Sequence, residues 1–161
     1  TDKYNIGINW DATAKTSGTV KVGQIEKDFD SAATTDVKLD SWEAAIDWAP
    51  KSYSVVSLNT SRSAKESSSV GSFIDSKLYS INWQHGWTQR MKSSISISLD
   101  EETYEGTTRE DETSSYGLRL DYEMRRWLDL GFSIDYTDVE STDAPSAYDR
   151  TQVGLHLVMG L

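Results

Sequence analysis

From Gln152 to the end of the chain, residue types alternate strictly. Val153, Leu155, Leu157, Met159 and Leu161 form one row, and Gln152, Gly154, His156, Val158 and Gly160 form the other. A β-strand turns successive side chains to opposite faces, so this pattern predicts a strand with one continuous apolar face. The same period recurs upstream. It predicts strands over Tyr4 to Ala12, Gly18 to Asp28, Leu39 to Ala49, Tyr53 to Arg62, Lys77 to His85, Met91 to Glu102, Ser115 to Arg125 and Leu128 to Thr137. Two of them break the rule locally. The outer half of the second, Gln24 to Asp28, loses its alternation, and Val55 and Val56 stand side by side in the fourth. Helical periodicity is absent.

Connections between these strands alternate in length. Short ones fall near Thr13 to Ser17, Pro50 to Ser52, Gly86 to Arg90 and Arg126-Trp127. Long polar ones fall near Phe29 to Val37, Ser63 to Ser76, Glu101 to Ser114 and Asp138 to Asp149. Short turns on one side and long loops on the other are the pattern of outer-membrane β-barrels. Trp10, Trp48, Trp83, Trp87 and Trp127 all lie within a few residues of a short connection. Folded as hairpins they form a ring at one level, the aromatic girdle of a bilayer interface. Trp42 falls toward the opposite rim, with Tyr104, Tyr116, Tyr136 and Tyr148 as candidates for an outer girdle.

The fold expected is therefore all-β, an antiparallel up-and-down transmembrane β-barrel, with residues 1–161 as one domain. Composition alone points elsewhere. The 161 residues carry a net charge of −10 and no cysteine, and the mean hydropathy is −0.57. No apolar run reaches the roughly 18 residues of a transmembrane helix. A barrel escapes both tests, because its polar lumen residues cancel its lipid-facing ones. The acidic balance argues against nucleic acid as a partner. Parity adds one expectation. Nine strands place the first and last in the same direction, whereas bacterial barrels carry an even number. At least one strand is therefore expected to precede Thr1, making this the C-terminal portion of a larger barrel.

With the apolar rows on lipid, the opposite rows line the lumen. Glu43, Asp47, Lys92, Arg119, Asp121, Glu123, Arg125, Asp135 and His156 are the candidate lumen residues. Arg119, Asp121 and Asp135 are expected to pair across strands. Asp100 to Glu112 is rich in carboxylates, but it lacks the spacing of a calcium loop, and no metal site or cofactor is expected. Catalysis has little support: His156 is the one candidate base on the lumen row, and serines and carboxylates are common enough to pair with it by chance. No enzyme activity is expected.

Four segments carry a resemblance to a known family: Trp42 through Trp48-Ala49-Pro50, the turn Trp83-Gln84-His85-Gly86-Trp87, Tyr122 with Arg126-Trp127-Leu128, and Tyr148-Asp149-Arg150 before the last strand. Together they resemble the outer-membrane β-barrel porins found in exopolysaccharide and capsule gene clusters of Gram-negative bacteria. The resemblance runs the length of the chain. It implies a bacterial outer-membrane protein that conducts or supports export of extracellular polysaccharide. It carries no catalytic residues. The implied partners are outer-membrane lipid and lipopolysaccharide, polysaccharide, periplasmic export proteins, and the barrel-assembly machinery reading the C-terminal strand. That strand ends on Leu161, where an aromatic is usual. Three rival readings stay open at this point: a general diffusion porin, a non-conducting barrel acting through its surface loops, and a soluble β-sandwich that binds carbohydrate.

Overall fold

The structure is a computed structural model and describes residues 2–13, 15–27, 37–65 and 73–160. Nine strands follow one another: β1 (Asp2–Thr13), β2 (Thr16–Lys27), β3 (Val37–Lys51), β4 (Ser54–Lys65), β5 (Ile74–Gly86), β6 (Met91–Tyr104), β7 (Glu110–Arg125), β8 (Leu128–Ser141) and β9 (Tyr148–Met159). Each pairs antiparallel with its neighbours in sequence, giving one sheet in the order β1 to β9. Among the described residues the only helical element is a 3₁₀ turn, Ala144–Ser146, in the last connection. Most of the two expected long connections, Phe29 to Val37 and Ser63 to Ser76, lies outside the described residues.

The two irregular strands resolve simply. β2 stays paired to Lys27, opposite Val37. Its alternation fails because Ile25 turns onto the polar face and is buried there with Leu39 and Phe73. In β4 the adjacent valines point to opposite faces. Val56 pairs with Trp48 and Trp83 on the apolar side, and Val55 pairs with Gln84 on the polar side.

Register keeps the apolar rows together across the whole sheet. Ile8 faces Val20, which faces Ala44. Leu58 faces Ile81, Ile81 faces Ile97, and Ile97 faces Tyr116. Phe132 faces Leu120 on one side and Leu155 on the other. No second layer covers this face among the described residues. Ile6 is 76% exposed and Leu155 is 84% exposed. A soluble β-sheet must bury such a face against another element, and a patch of this extent on a monomer marks an interaction surface.

The register also walks. One cross-strand row joins Thr16, Trp48, Val56, Trp83, Ile95, Leu118, Ile134 and Val153. At β2 this row lies at the β1–β2 turn, whereas at β7 the turn comes only at Arg125, seven residues beyond Leu118. The long-loop ends drift in the same direction. The stagger is about one residue per strand, or about 3.3 Å along the strand for each 4.8 Å across, an inclination of about 35–40°. Barrel closure demands a stagger and tilt of this kind.

Consequently a row that is apolar at one side of the sheet becomes charged at the other. Ile6, Val22 and Trp42 lie in register with Arg62, Lys77, Glu101, Glu112 and Glu140. The apolar belt crosses the strands obliquely. It is level only in a frame where the strands are tilted.

Candidate functional site

The aromatic residues mark both edges of that belt. At the long-loop edge, Tyr4, Trp42, Tyr79 and Tyr116 step down by two register positions from each odd-numbered strand to the next. Tyr136 joins this line, stacked on Tyr116 with centroids 6.3 Å apart. Parity puts Tyr104 and Tyr148 on the opposite, polar face. The outer line is thus made of Tyr4, Trp42, Tyr79, Tyr116 and Tyr136, and the expectation for Tyr104 and Tyr148 is corrected.

At the short-turn edge, Trp10, Trp48 and Trp83 lie on the apolar face, and Trp87 and Trp127 sit in the β5–β6 and β7–β8 turns. Two of the indole N–H groups find partners. Trp83 Nε1 donates to Ser54 Oγ at 2.9 Å, and Trp87 Nε1 donates to Ser93 Oγ at 2.9 Å. Between these indoles lies His85, whose ring centroid is 5.3 Å from Trp83, 4.5 Å from Trp87 and 5.4 Å from Tyr53. An apolar body with a bonded polar tip is the chemistry of a lipid–water boundary.

The polar face divides into three zones. Toward the long loops, charges pair densely. Lys65 Nζ bonds Glu102 at 2.6 Å, and Ser76 Oγ donates to Asp100 at 3.0 Å. In the β6–β7 turn Gly106 takes a φ of 87°, a conformation that glycine adopts without penalty. The turn returns Arg109 over the ring of Tyr104 and into a two-pronged ion pair with Asp111, which also accepts from Ser141. The Arg109 guanidinium holds the Asp111 carboxyl below the usual carboxylate range.

The middle zone is rich in hydroxyls and amides and holds few charges. From β1 to β8 one row reads Asn9, Thr19, Ala45, Asn59, Ser80, Ser98, Ser115 and Thr137. The next row runs from Asp47 through Ser57, Asn82, Ser96 and Gly117 to Asp135. Asn59, Ser80, Asn82, Ser96 and Ser98 have no side-chain partner among the described residues, so their hydroxyls and amides are open to water or solute.

Toward the short turns the charges return. Arg119 Nε donates to Asp121 at 3.2 and 3.1 Å, and Arg119 Nη2 lies 3.0 Å from His156 Nε2. The same imidazole nitrogen lies 2.9 Å from Asp121 Oδ1. His156 reaches Asp121 across β8 because residue 131, between them in register, is glycine. A Cβ there would meet His156 Cε1 at 1.6 Å. The sequence expectation is corrected here: Arg119 pairs with Asp121 two residues along its own strand, and Asp135 takes no part.

Glu43 and Asp47 lie on the same polar face in β3. Glu43 is held by Lys21 at 3.0 Å, and Asp47 accepts from Ser57. Glu123 shares that face on β7, and Arg125 follows it past a register shift. Lys92 stands opposite Asp121, exposed and without a carboxylate partner among the described residues. Beside it lies a hollow of about 600 Å³, bordered by Gln84, Lys92, Ser94, Arg119 and Asp121. Sequence reasoning missed Gly131 and the hydroxyls of Ser54 and Ser93, since no pattern in one strand reports what reaches over from the next but one.

Among the described residues no group of histidine and carboxylate side chains forms a metal site. Among the described residues no helix is long and apolar enough to cross a membrane, which leaves crossing by strands untouched. No curated protein gives a match to the chain. A family model described as "Putative beta-barrel porin 2" matches residues 3–160. With nearly the whole chain covered and one antiparallel meander beneath it, this protein belongs to that β-barrel porin family.

Proposed function

We propose that the chain forms part of the wall of an outer-membrane barrel, with its apolar face on lipid and its polar face on an aqueous lumen that passes extracellular polysaccharide. The oblique apolar belt carries this reading. A bilayer imposes a level boundary on tilted strands, and the stagger of about one residue per strand brings Tyr4, Trp42, Tyr79 and Tyr116 to one height. The short turns then face the periplasm and the long loops face outward.

The middle zone, rich in hydroxyls and amides, supports a hydrophilic, polyhydroxylated solute. Rows of unspent hydroxyls and amides exchange hydrogen bonds with sugar as readily as with water. Transport would be passive, with energy supplied by inner-membrane partners. A general diffusion porin is the second reading, favoured by the same open polar rows.

The test uses the full-length protein from washed outer membranes, run on gels with and without boiling. A faster unboiled species is expected. Recovery in the soluble fraction with no heat shift would overturn the membrane reading. Vesicles holding the purified barrel then separate the two transport readings. A diffusion porin admits small neutral sugars at once, whereas an exporter stays closed to them until its polysaccharide or its partners are supplied.

A further inference from the structure

We propose that the hollow around Lys92 is a binding site for the carboxylate of an acidic saccharide, at the mouth of the lumen on the short-turn side. The inference rests on the proposed passage of polysaccharide and narrows it to sugars bearing a carboxylate.

Charge is the first argument. The chain carries a net −10, yet the charged side chains bordering this hollow are Lys92, Arg119 and Asp121, two cations against one anion. The next hollow along the polar face is acidic. On the far side of Lys92, Asp121, Glu123 and Asp129 outnumber Arg90 and Lys92. Lys92 therefore sits at the border of the least anionic part of this face.

The second argument is which cation is free. Arg119 spends its Nε on Asp121 and points an Nη2 at His156. Asp121 in turn is engaged by both. Among the described residues the ammonium of Lys92 is left with three donors and no carboxylate, although Asp121 lies opposite it in register. A lysine left over beside a satisfied ion pair is a point charge awaiting an anion.

The third is what surrounds that charge. Gln84 and Ser94 flank it on the polar face, and Thr88 and Gln89 reach it from the turn. Tyr53, 54% exposed, closes the lower side. Amides and hydroxyls around one cation, with an aromatic ring at the edge, match a pyranose bearing one carboxylate: the ring stacks, the hydroxyls bond and the acid meets the ammonium. A hollow of about 600 Å³ holds one or two sugar residues. Its place at the short-turn end is where a chain leaving the cell enters.

The experiment is calorimetric titration of the full-length barrel in detergent with oligogalacturonate and with a neutral maltooligosaccharide of equal length. Oligogalacturonate is expected to bind at least about tenfold more tightly, with the preference fading as salt rises. Lys92→Gln is expected to remove most of that preference while leaving the neutral sugar unchanged. Lys65→Gln, a cation at the other end of the same face, leaves it intact. Equal affinity for both sugars, no binding of either, or a Lys92→Gln variant that keeps the preference would each overturn the site. Heat-modifiable migration of every variant confirms that the barrel is folded. Migration without a heat shift in the native protein would instead count against the membrane reading itself.

Discussion

Trp42 and Tyr79 sit two register positions apart on the same face. Trp42 faces Arg62, Arg62 faces Lys77, and Tyr79 lies two residues nearer the short turns. That offset, repeated from Tyr4 to Trp42 and from Tyr79 to Tyr116, draws the upper boundary of the apolar belt. A charge placed below the line should therefore behave differently from one above it. Ile97→Arg is expected to destabilise the barrel by about 2–4 kcal/mol, and Glu101→Arg, four residues along the same face, by about 0–1 kcal/mol. Denaturant unfolding of the barrel in lipid vesicles measures both. Equal penalties would mean that the boundary is not where the aromatics place it.

Gly131 is expected to matter only because of His156. Strand glycine is mildly unfavourable, so alanine there should stabilise slightly in the absence of other effects. With the imidazole lying across it, the new Cβ instead evicts the ring from Asp121 and Arg119. Gly131→Ala should cost about 1–2 kcal/mol, the scale of hydrogen bonds to charged groups. In a His156→Ala background the same change should be nearly neutral. A double-mutant cycle by denaturant unfolding reads the coupling directly, and additivity would refute the contact.

The alternation carried most of the fold. All nine strands and their antiparallel order followed from a period of two in Tyr4–Trp10, Ile95–Leu99 or Val153–Met159, because one row had to be apolar throughout. What a single strand cannot encode is its offset from the next. The line of Tyr4, Trp42, Tyr79 and Tyr116 emerges only once the register is known. Tyr104 and Tyr148 were misjudged for that reason: nearness to a long loop says nothing about face, and parity counted from Leu99 or Val153 does. The partner of Arg119 was misread similarly. The side chain bonds two residues along β7, while the cross-strand reach belongs to His156 over a glycine. Ile25 broke the pattern because it packs on Leu39 and Phe73, a contact between distant parts of the chain.

Acid should loosen the β6–β7 hairpin first. Asp111 lies five residues beyond Tyr116, on the loop side of the belt, and Arg109 holds its carboxyl below the usual range. A carboxyl depressed in the folded state contributes stability that is complete above its unfolded pKa of about 3.9 and is lost as pH falls through the lower folded value. Proteolysis at the exposed Gly106 turn should therefore stay slow at neutral pH and accelerate only below about pH 4. Asp111→Asn leaves Arg109 with Asp143, 3.9 Å away, as its remaining anion. It should accelerate cleavage already at neutral pH and abolish the acid step. An acid step that survives in this variant would place the responsible carboxyl elsewhere.

Ion selectivity tests whether the short-turn end of the polar face borders the conducting path. Arg119 and Asp121 neutralise each other, so removing either unbalances the same spot in opposite directions. Asp121→Asn leaves Arg119 and Lys92 without a counter-charge and should reduce cation preference. Arg119→Gln leaves Asp121 to His156 and should raise it. Changes of a few-fold in the permeability ratio, read from reversal potentials of the full-length protein in planar bilayers, are the expected size for one charge in a wide, screened lumen. Lys77→Gln, on the opposite face and above the aromatic line, should leave the ratio unchanged, since its partner Glu101 lies outside the lumen. Opposite shifts from Arg119 and Asp121 with none from Lys77 would put the polar face on the pore. A shift from Lys77 equal to theirs would mean that the two faces are assigned the wrong way round.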